Sequence, residues 1–199
     1  MTENAPIRRP RMTPDREYEL LTAALDLLRE VGYEALSMDT LAARAHCSKA
    51  TLYRMWPTKP QLIAAALRAT GPTDAKDIDT GSLRGDLVAM ADRFVPRAEQ
   101  DTALIAALDH AIITNPDLAA TLRAVLLEPD TADLARFVDR AVERGELPAR
   151  PPAAELLSPL FFGVFVTRPV FDGSLADADY ITRFIDDIVL PALHHCACR

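Results

Sequence analysis

Apolar side chains recur every three or four residues along most of the chain, beginning with Leu20, Leu21, Ala24, Leu27, Leu28 and Val31. That period places them on one face of a helix. Thr13-Pro14-Asp15 ahead of them supplies a cap, a proline at the first helical position and an early acid, and Gly32 supplies a stop. A second, shorter pattern follows Ser37, with Leu41, Ala42 and Ala45 on one face, and breaks at His46-Cys47-Ser48. Ser48 caps a third pattern from Lys49 to Trp56, which must end before Pro57 because the residue preceding a proline is pushed out of the α region. Thr58 caps a fourth, with Leu62, Ile63, Ala66 and Leu67 facing a core. Two short helices joined by a tight turn and flanked by two others read as a helix-turn-helix module.

The polar break from Gly71-Pro72-Thr73 to Gly81 is the predicted boundary, dividing the chain into residues 1–12, an arm without structure of its own; 13–70, the helix-turn-helix domain; and 71–199, a larger helical domain. Beyond the break every long segment has helical period and none has sustained strand alternation, so the fold class is all-α. Leu83, Leu87, Met90, Ala91, Phe94 and Val95 mark one helix, and Leu104, Ile105, Leu108 and Ile112 the next. Asn115-Pro116-Asp117 restarts the chain ahead of Leu118, Leu122, Val125 and Leu126. Another helix runs from about Asp130 to Gly145. The stretch 156–166 is apolar nearly all round, with Pro159 expected to kink it or delay its start, and a final helix carries Tyr180, Ile181, Phe184, Ile185, Ile188 and Val189, with Pro191 near its end. Apolar surface on this scale exceeds what one subunit of this size covers, so Leu156, Leu160, Phe184, Ile185 and Ile188 are predicted to form a homodimer interface.

Charge sharpens the division. Residues 1–70 hold ten Arg and Lys against eight Asp and Glu, whereas residues 71–199 hold twelve against twenty-one, within a total of −7. One part is thus suited to a polyanion and the other is not. Between Thr40 and Gly71 there is no acid, while Arg44, Lys49, Arg54, Lys59 and Arg68 are present. Met1 to Met12 is polar and arginine-containing, no apolar run reaches the roughly 18 residues of a membrane span, and three cysteines are too few for a disulfide framework. A cytoplasmic protein with no membrane partner is expected. No glycine-rich phosphate loop, nucleophile elbow or metalloprotease helix is present, so no enzyme is predicted.

The run Thr51-Leu52-Tyr53-Arg54-Met55-Trp56-Pro57-Thr58-Lys59, preceded by Met38-Asp39-Thr40-Leu41-Ala42 and followed by Leu62, resembles the DNA-binding domain of the tetracycline-repressor (TetR) family of bacterial transcriptional regulators. The resemblance covers about residues 14–70. It implies that Tyr53 and Lys59 bind phosphates, that Ser48, Lys49, Ala50, Thr51 and Arg54 face the groove, and that Trp56 packs under the following helix. Ser37, at the start of the supporting helix, completes the candidate DNA-contacting set. Two positions depart from the family. His46 stands where a turn glycine is common, and Asp39 stands near a position that is basic and base-contacting in some members, so Asp39 is assigned no DNA contact. The resemblance also implies that the last two helices pack against their symmetry mates.

Met90, Phe94, Leu104, Leu108, Leu122, Val125, Phe161 and Phe165 offer apolar walls for a small-molecule effector between helices, although a packed core uses the same residues. His110 and Cys47 are read as packing or surface residues, and His194-His195-Cys196-Ala197-Cys198 as a frayed terminus rather than a metal site. No cofactor is expected. The resulting expectation is a homodimeric, sequence-specific repressor of double-stranded operator DNA, released by an apolar or amphipathic ligand. The alternatives are an activator, a ligand-independent DNA-binding protein, or a helical enzyme or carrier.

Overall fold

The computed structural model describes residues 12–71 and 75–196; the arm ahead of Met12, with Arg8, Arg9 and Arg11, and the end of the cysteine-containing tail lie outside the described residues. The first four helices are α1 (Pro14–Ala35), α2 (Met38–Arg44), α3 (Lys49–Met55) and α4 (Lys59–Thr70). All four start with the same device. The hydroxyls of Thr13, Ser37, Ser48 and Thr58 accept the N–H three residues on, from Arg16, Thr40, Thr51 and Gln61, at 3.1 to 3.3 Å. Each such cap satisfies an orphan donor and contributes about 1 kcal/mol. Gly32 leaves the helical region (φ 74, ψ 171), so α1 breaks there and only a last turn follows. Val31, placed by its spacing on the buried face, is exposed beside that break.

After residue 71 the helices run on farther than the pattern predicts. Where two helices were expected there is one, α5 (Leu83–Thr114), with Pro96 inside it. Its 32 residues span about 48 Å at 1.5 Å per residue. The pair α6 (Pro116–Leu122) and α7 (Glu128–Glu143) is also one continuous path, joined by a π-helical turn over Arg123–Leu127. A second π turn, Ile185–Val189, joins α9 (Ala178–Phe184) to α10 (Leu190–Cys196). Both π turns end two residues before a proline, Pro129 and Pro191. A proline inside an α-helix lacks its N–H and drives its ring into the carbonyl four residues back; widening the preceding turn relieves that clash and lets the helix continue. Between them, α8 (Leu157–Asp172) follows a 3-10 turn over Pro152–Leu156. Pro159 falls in its first turn, where a missing N–H has no helical partner to lose.

Two hydrophobic cores result, and residue 71 does not divide them. The first gathers Leu20, Leu28, Leu41, Leu52, Trp56, Leu62 and Ile63 from α1–α4, and also Leu104, Leu108, Ala111, Leu118 and Leu122 from the far end of α5 and from α6. The second holds Leu83, Leu87 and Met90 from the near end of α5 with Phe137, Val138, Leu157, Phe161, Ile181, Ile185, Val189 and Leu193. One helix is therefore shared by both cores. Residues 75–82, ahead of α5, are pinned rather than free. Ala75 and Ile78 are buried, the Ala75 N–H donates to buried Asp133 at 3.0 Å, and Arg140 bridges the Ile78 carbonyl (2.7 Å) to the buried carboxylate of Asp86 (2.9 Å). Burial alone would raise Asp86; the backbone N–H of Thr80, the Arg140 guanidinium and the Thr80 hydroxyl outweigh it and hold the carboxyl below its usual range.

The expectation that no segment is apolar enough to cross a bilayer needs one correction. Pro152–Asp172 passes on length and mean hydropathy, because the 3-10 turn and α8 together form a single 21-residue helical stretch. Little of it is buried within the subunit.

Candidate nucleic-acid interface

In the helix-turn-helix, α3 sits with Leu52 fully buried and Trp56 nearly so, packed with α4 into the first core. Anchoring by these two turns the opposite side of α3 outward. Ser48, Lys49, Ala50 and Arg54 are exposed, Tyr53 is 49% exposed, and Thr51 is half-buried. The Ser48 hydroxyl is committed to the cap, 3.1 Å from the Thr51 N–H and 2.9 Å from the Thr51 hydroxyl. Ser37 is committed likewise on α2, to the N–H and hydroxyl of Thr40. Arg54 extends from the last turn of α3 with no ion-pair partner among the described residues. Its five donors in a fixed fork suit guanine or phosphate.

The turn between α2 and α3 is made by His46 in the left-handed region, at φ 48, the only non-glycine with positive φ among the described residues. Nearly all L residues avoid this region, and histidine is among those that tolerate it. The turn is held from outside. Arg16 of α1 donates a guanidinium N–H to the carbonyl of Ala45, the residue before His46, and pairs with Glu19 at 2.6 Å. Cys47, next in the chain, is half-buried against the first core, and burial raises its thiol while Arg16 acts in the opposite sense.

Lys59 stands differently from the other cations. Its ammonium donates to the carbonyls of Tyr33 (2.7 Å) and Leu36 (3.1 Å) and lies 4.0 Å from the centre of the Tyr33 ring. It caps the end of α1, and burial lowers it from its usual value, partly offset by Glu34. The Tyr33 hydroxyl is itself pushed up to about 12, mainly by burial. Lys49, at the start of α3, pairs with Asp39 of α2 at 2.5 Å. The roles of Arg16 and Asp39 could not be read from spacing: each acts across tens of residues or across a turn, and an isolated charge on a helix surface carries no mark of its partner.

Of the eight residues expected to wall an effector site, four come together and four do not. Met90, Phe94, Phe161 and Phe165 line a small, open recess between α5, α7 and α8, with Ala91, Leu127, Leu134 and Phe162. Asp130 and Ser158 are its polar side chains. Leu104, Leu108, Leu122 and Val125 instead pack in the first core, beneath α1 and α4. On the expected dimer face, Leu156, Leu160 and Ile188 are exposed, joined by Phe162, Val170 and Phe171. Phe184 is half-buried and meets Phe161 edge-on, ring centres 5.7 Å apart. Ile185 is fully buried in the second core, so it supports that face from beneath and presents nothing to a partner. His110 is exposed, and no cluster of three or more metal-ligating side chains exists among the described residues.

A capped helix-turn-helix whose second helix offers Lys49, Tyr53 and Arg54 outward, carried by an acidic helical body, defines a DNA-binding transcriptional regulator. Residues 20–66 match the model for bacterial regulatory proteins of the tetR family, and residues 77–188 match that for the tetracyclin repressor-like C-terminal domain. The chain belongs to the TetR family. It is 33% identical over 178 residues to an uncharacterized HTH-type transcriptional regulator of Mycobacterium tuberculosis, covering 89% of this chain and 88% of the relative. It is 35% identical over 183 residues to the DNA-binding transcriptional repressor TetR of Mycobacteroides abscessus, covering 88% and 92%. Among solved structures, the flavonoid-responsive regulator FrrA superposes with a TM-score of 0.65 at 26% identity, covering 92% of this chain and 97% of that one.

Proposed function

We propose that this regulator is a homodimeric repressor that leaves its operator when a largely apolar or amphipathic small molecule occupies the recess beside α8, once per subunit. The observation that carries this reading is the span of α5: Met90 and Phe94 line the recess, and Leu104 and Leu108 of the same helix lie in the core of the reading head. A ligand that shifts α5 at one end therefore acts directly on the packing of α1 and α4 at the other. Two reading heads on a two-fold axis call for an operator of matching symmetry, and the exposed apolar stripe of Leu156, Leu160, Phe162 and Ile188 is suited to such an axis. A DNA target places the protein in the cytoplasm. The phosphate contacts are assigned to Tyr53 and to Lys59, the latter after leaving its carbonyl cap; base contacts are assigned to Lys49 and Arg54, with Ser37, Ser48, Ala50 and Thr51 lining the approach.

Reciprocity supplies the test. An inducer must bind better to the conformation whose reading heads are wrongly spaced, so operator DNA must weaken inducer binding by the same factor. Flavonoids are the first candidates, because a relative of the same fold is flavonoid-responsive and the recess has four phenylalanine walls. Calorimetric titration with and without operator is expected to give different affinities. A compound that binds with equal affinity in both is not the inducer.

A further inference from the structure

Asp39 is the one acid between Ser37 and Thr70, and it stands in the first turn of α2 on the same exposed side as the start of α3. Its carboxylate holds the Lys49 ammonium at 2.5 Å, and both side chains are more than half exposed. An exposed pair of this kind adds little to stability, since screening and side-chain entropy cancel most of the attraction. Its consequence lies in where it places charge. The first cation of the recognition helix is already neutralised before DNA arrives, and a carboxylate is carried toward a polyanion.

On a sequence of arbitrary composition that arrangement is unfavourable twice over. Lys49 is kept from the phosphates that would otherwise release counterions, and Asp39 adds like-charge repulsion. On a matching sequence both groups are satisfied, because the major groove presents the amino group of cytosine, which a carboxylate accepts, and O6 and N7 of guanine, to which an ammonium donates. The pair therefore penalises wrong DNA more than it rewards right DNA, the usual route to specificity from a modest contact.

We propose that Asp39, assigned no DNA contact on sequence alone, is a specificity-determining residue of the reading head, acting with Lys49 as a paired filter that selects C and G at adjoining positions of each half-site. The inference rests on the DNA-binding assignment of α3 and is independent of effector release and of the recess.

The test compares wild type with Asp39→Asn, which keeps the side-chain shape and removes the charge, on two DNA probes: a duplex enriched by the wild-type protein from a random pool, and the unselected pool itself. Binding is followed by fluorescence anisotropy across a salt series. The Asn variant is expected to bind the unselected pool more tightly and with a log–log salt slope steeper by about 0.9, for one phosphate newly neutralised by Lys49. Its preference for the enriched duplex over the pool is expected to fall about tenfold, the discrimination of one good base contact. Lys49→Ala is expected to lose the same preference without gaining affinity for the pool. Equal tightening on both probes would mean a bare charge effect, and equal weakening or no change would mean a structural or idle residue; each overturns the proposal. Retention of the enriched duplex by wild type checks the reading of α3 separately.

Discussion

Replacing Lys59 by methionine keeps the apolar stem and removes the ammonium that closes α1. The loss comprises two charge-assisted hydrogen bonds, to the carbonyls of Tyr33 at 2.7 Å and Leu36 at 3.1 Å, and a cation–π contact at 4.0 Å. Hydrogen bonds to a charged group contribute roughly 1.5–3 kcal/mol each when buried. Here the amine is only half-buried and its burial works against the charged form, so the gain is partly offset and the carbonyls can recover water once it is gone. A net loss of about 2 kcal/mol is the reasonable figure. For a chain of 199 residues that lowers the melting temperature by about 4–8 °C. The assay is thermal unfolding of the DNA-free protein at fixed subunit concentration, followed by circular dichroism. A second measurement separates the cap from a phosphate contact: if Lys59 swings to DNA, its loss flattens the log–log salt slope by about 0.9, and if it stays on α1 the slope is unchanged. A melting temperature within about 1 °C of wild type would refute the cap.

The left-handed turn offers a gain instead of a loss. His46→Gly removes the cost of φ 48 and is expected to raise stability by up to about 1 kcal/mol, and Arg16→Ala, which frees the Ala45 carbonyl, is expected to be less harmful in that background than in wild type, both read by urea unfolding. Asp86→Asn removes one partner of a buried pair and is expected to cost about 3 kcal/mol at pH 7. Because the folded carboxyl is held below its usual range, its contribution is present above the unfolded value near about 4 and lost as pH falls below it through the lower folded value, so in acid below about pH 4 wild type should lose stability more steeply than Asp86→Asn. On the proposed dimer face, Ile188→Glu (52% exposed) is expected to give folded monomers by sedimentation, whereas Ile185→Glu, fully buried, is expected not to fold.

Much of this architecture was legible in local patterns. Thr13, Ser37, Ser48 and Thr58 announce four helix starts because a cap is made within three residues, and the aromatic, proline and lysine positions from Tyr53 to Lys59 sit inside one short run. Continuity was the harder question. Two helices were expected where α5 runs through Pro96, a new helix was expected from about Asp130, and Pro191 was placed near the end of the last; each helix continues past its proline, two of them after a widened turn. The second limit was partition. Leu104 and Leu108 have the same apolar character as Met90 and Phe94, and only the three-dimensional packing sends one pair under the reading head and the other to the recess. Side-chain pairs across long separations, Arg16 with Ala45, Lys59 with Tyr33, Asp133 with Ala75, leave no periodic trace at all.

The proposed function requires α3 to read DNA sequence on behalf of a two-fold dimer. Purified protein mixed with sheared DNA from its own source, followed by sequencing and footprinting of the retained fragments, tests it most directly. A small set of sites is expected, each protected as two inverted halves on one face of the duplex, and Arg54→Ala is expected to abolish the enrichment while leaving weak, salt-sensitive binding. Retention of fragments without a shared motif, or protection of a single unrepeated element, would contradict it.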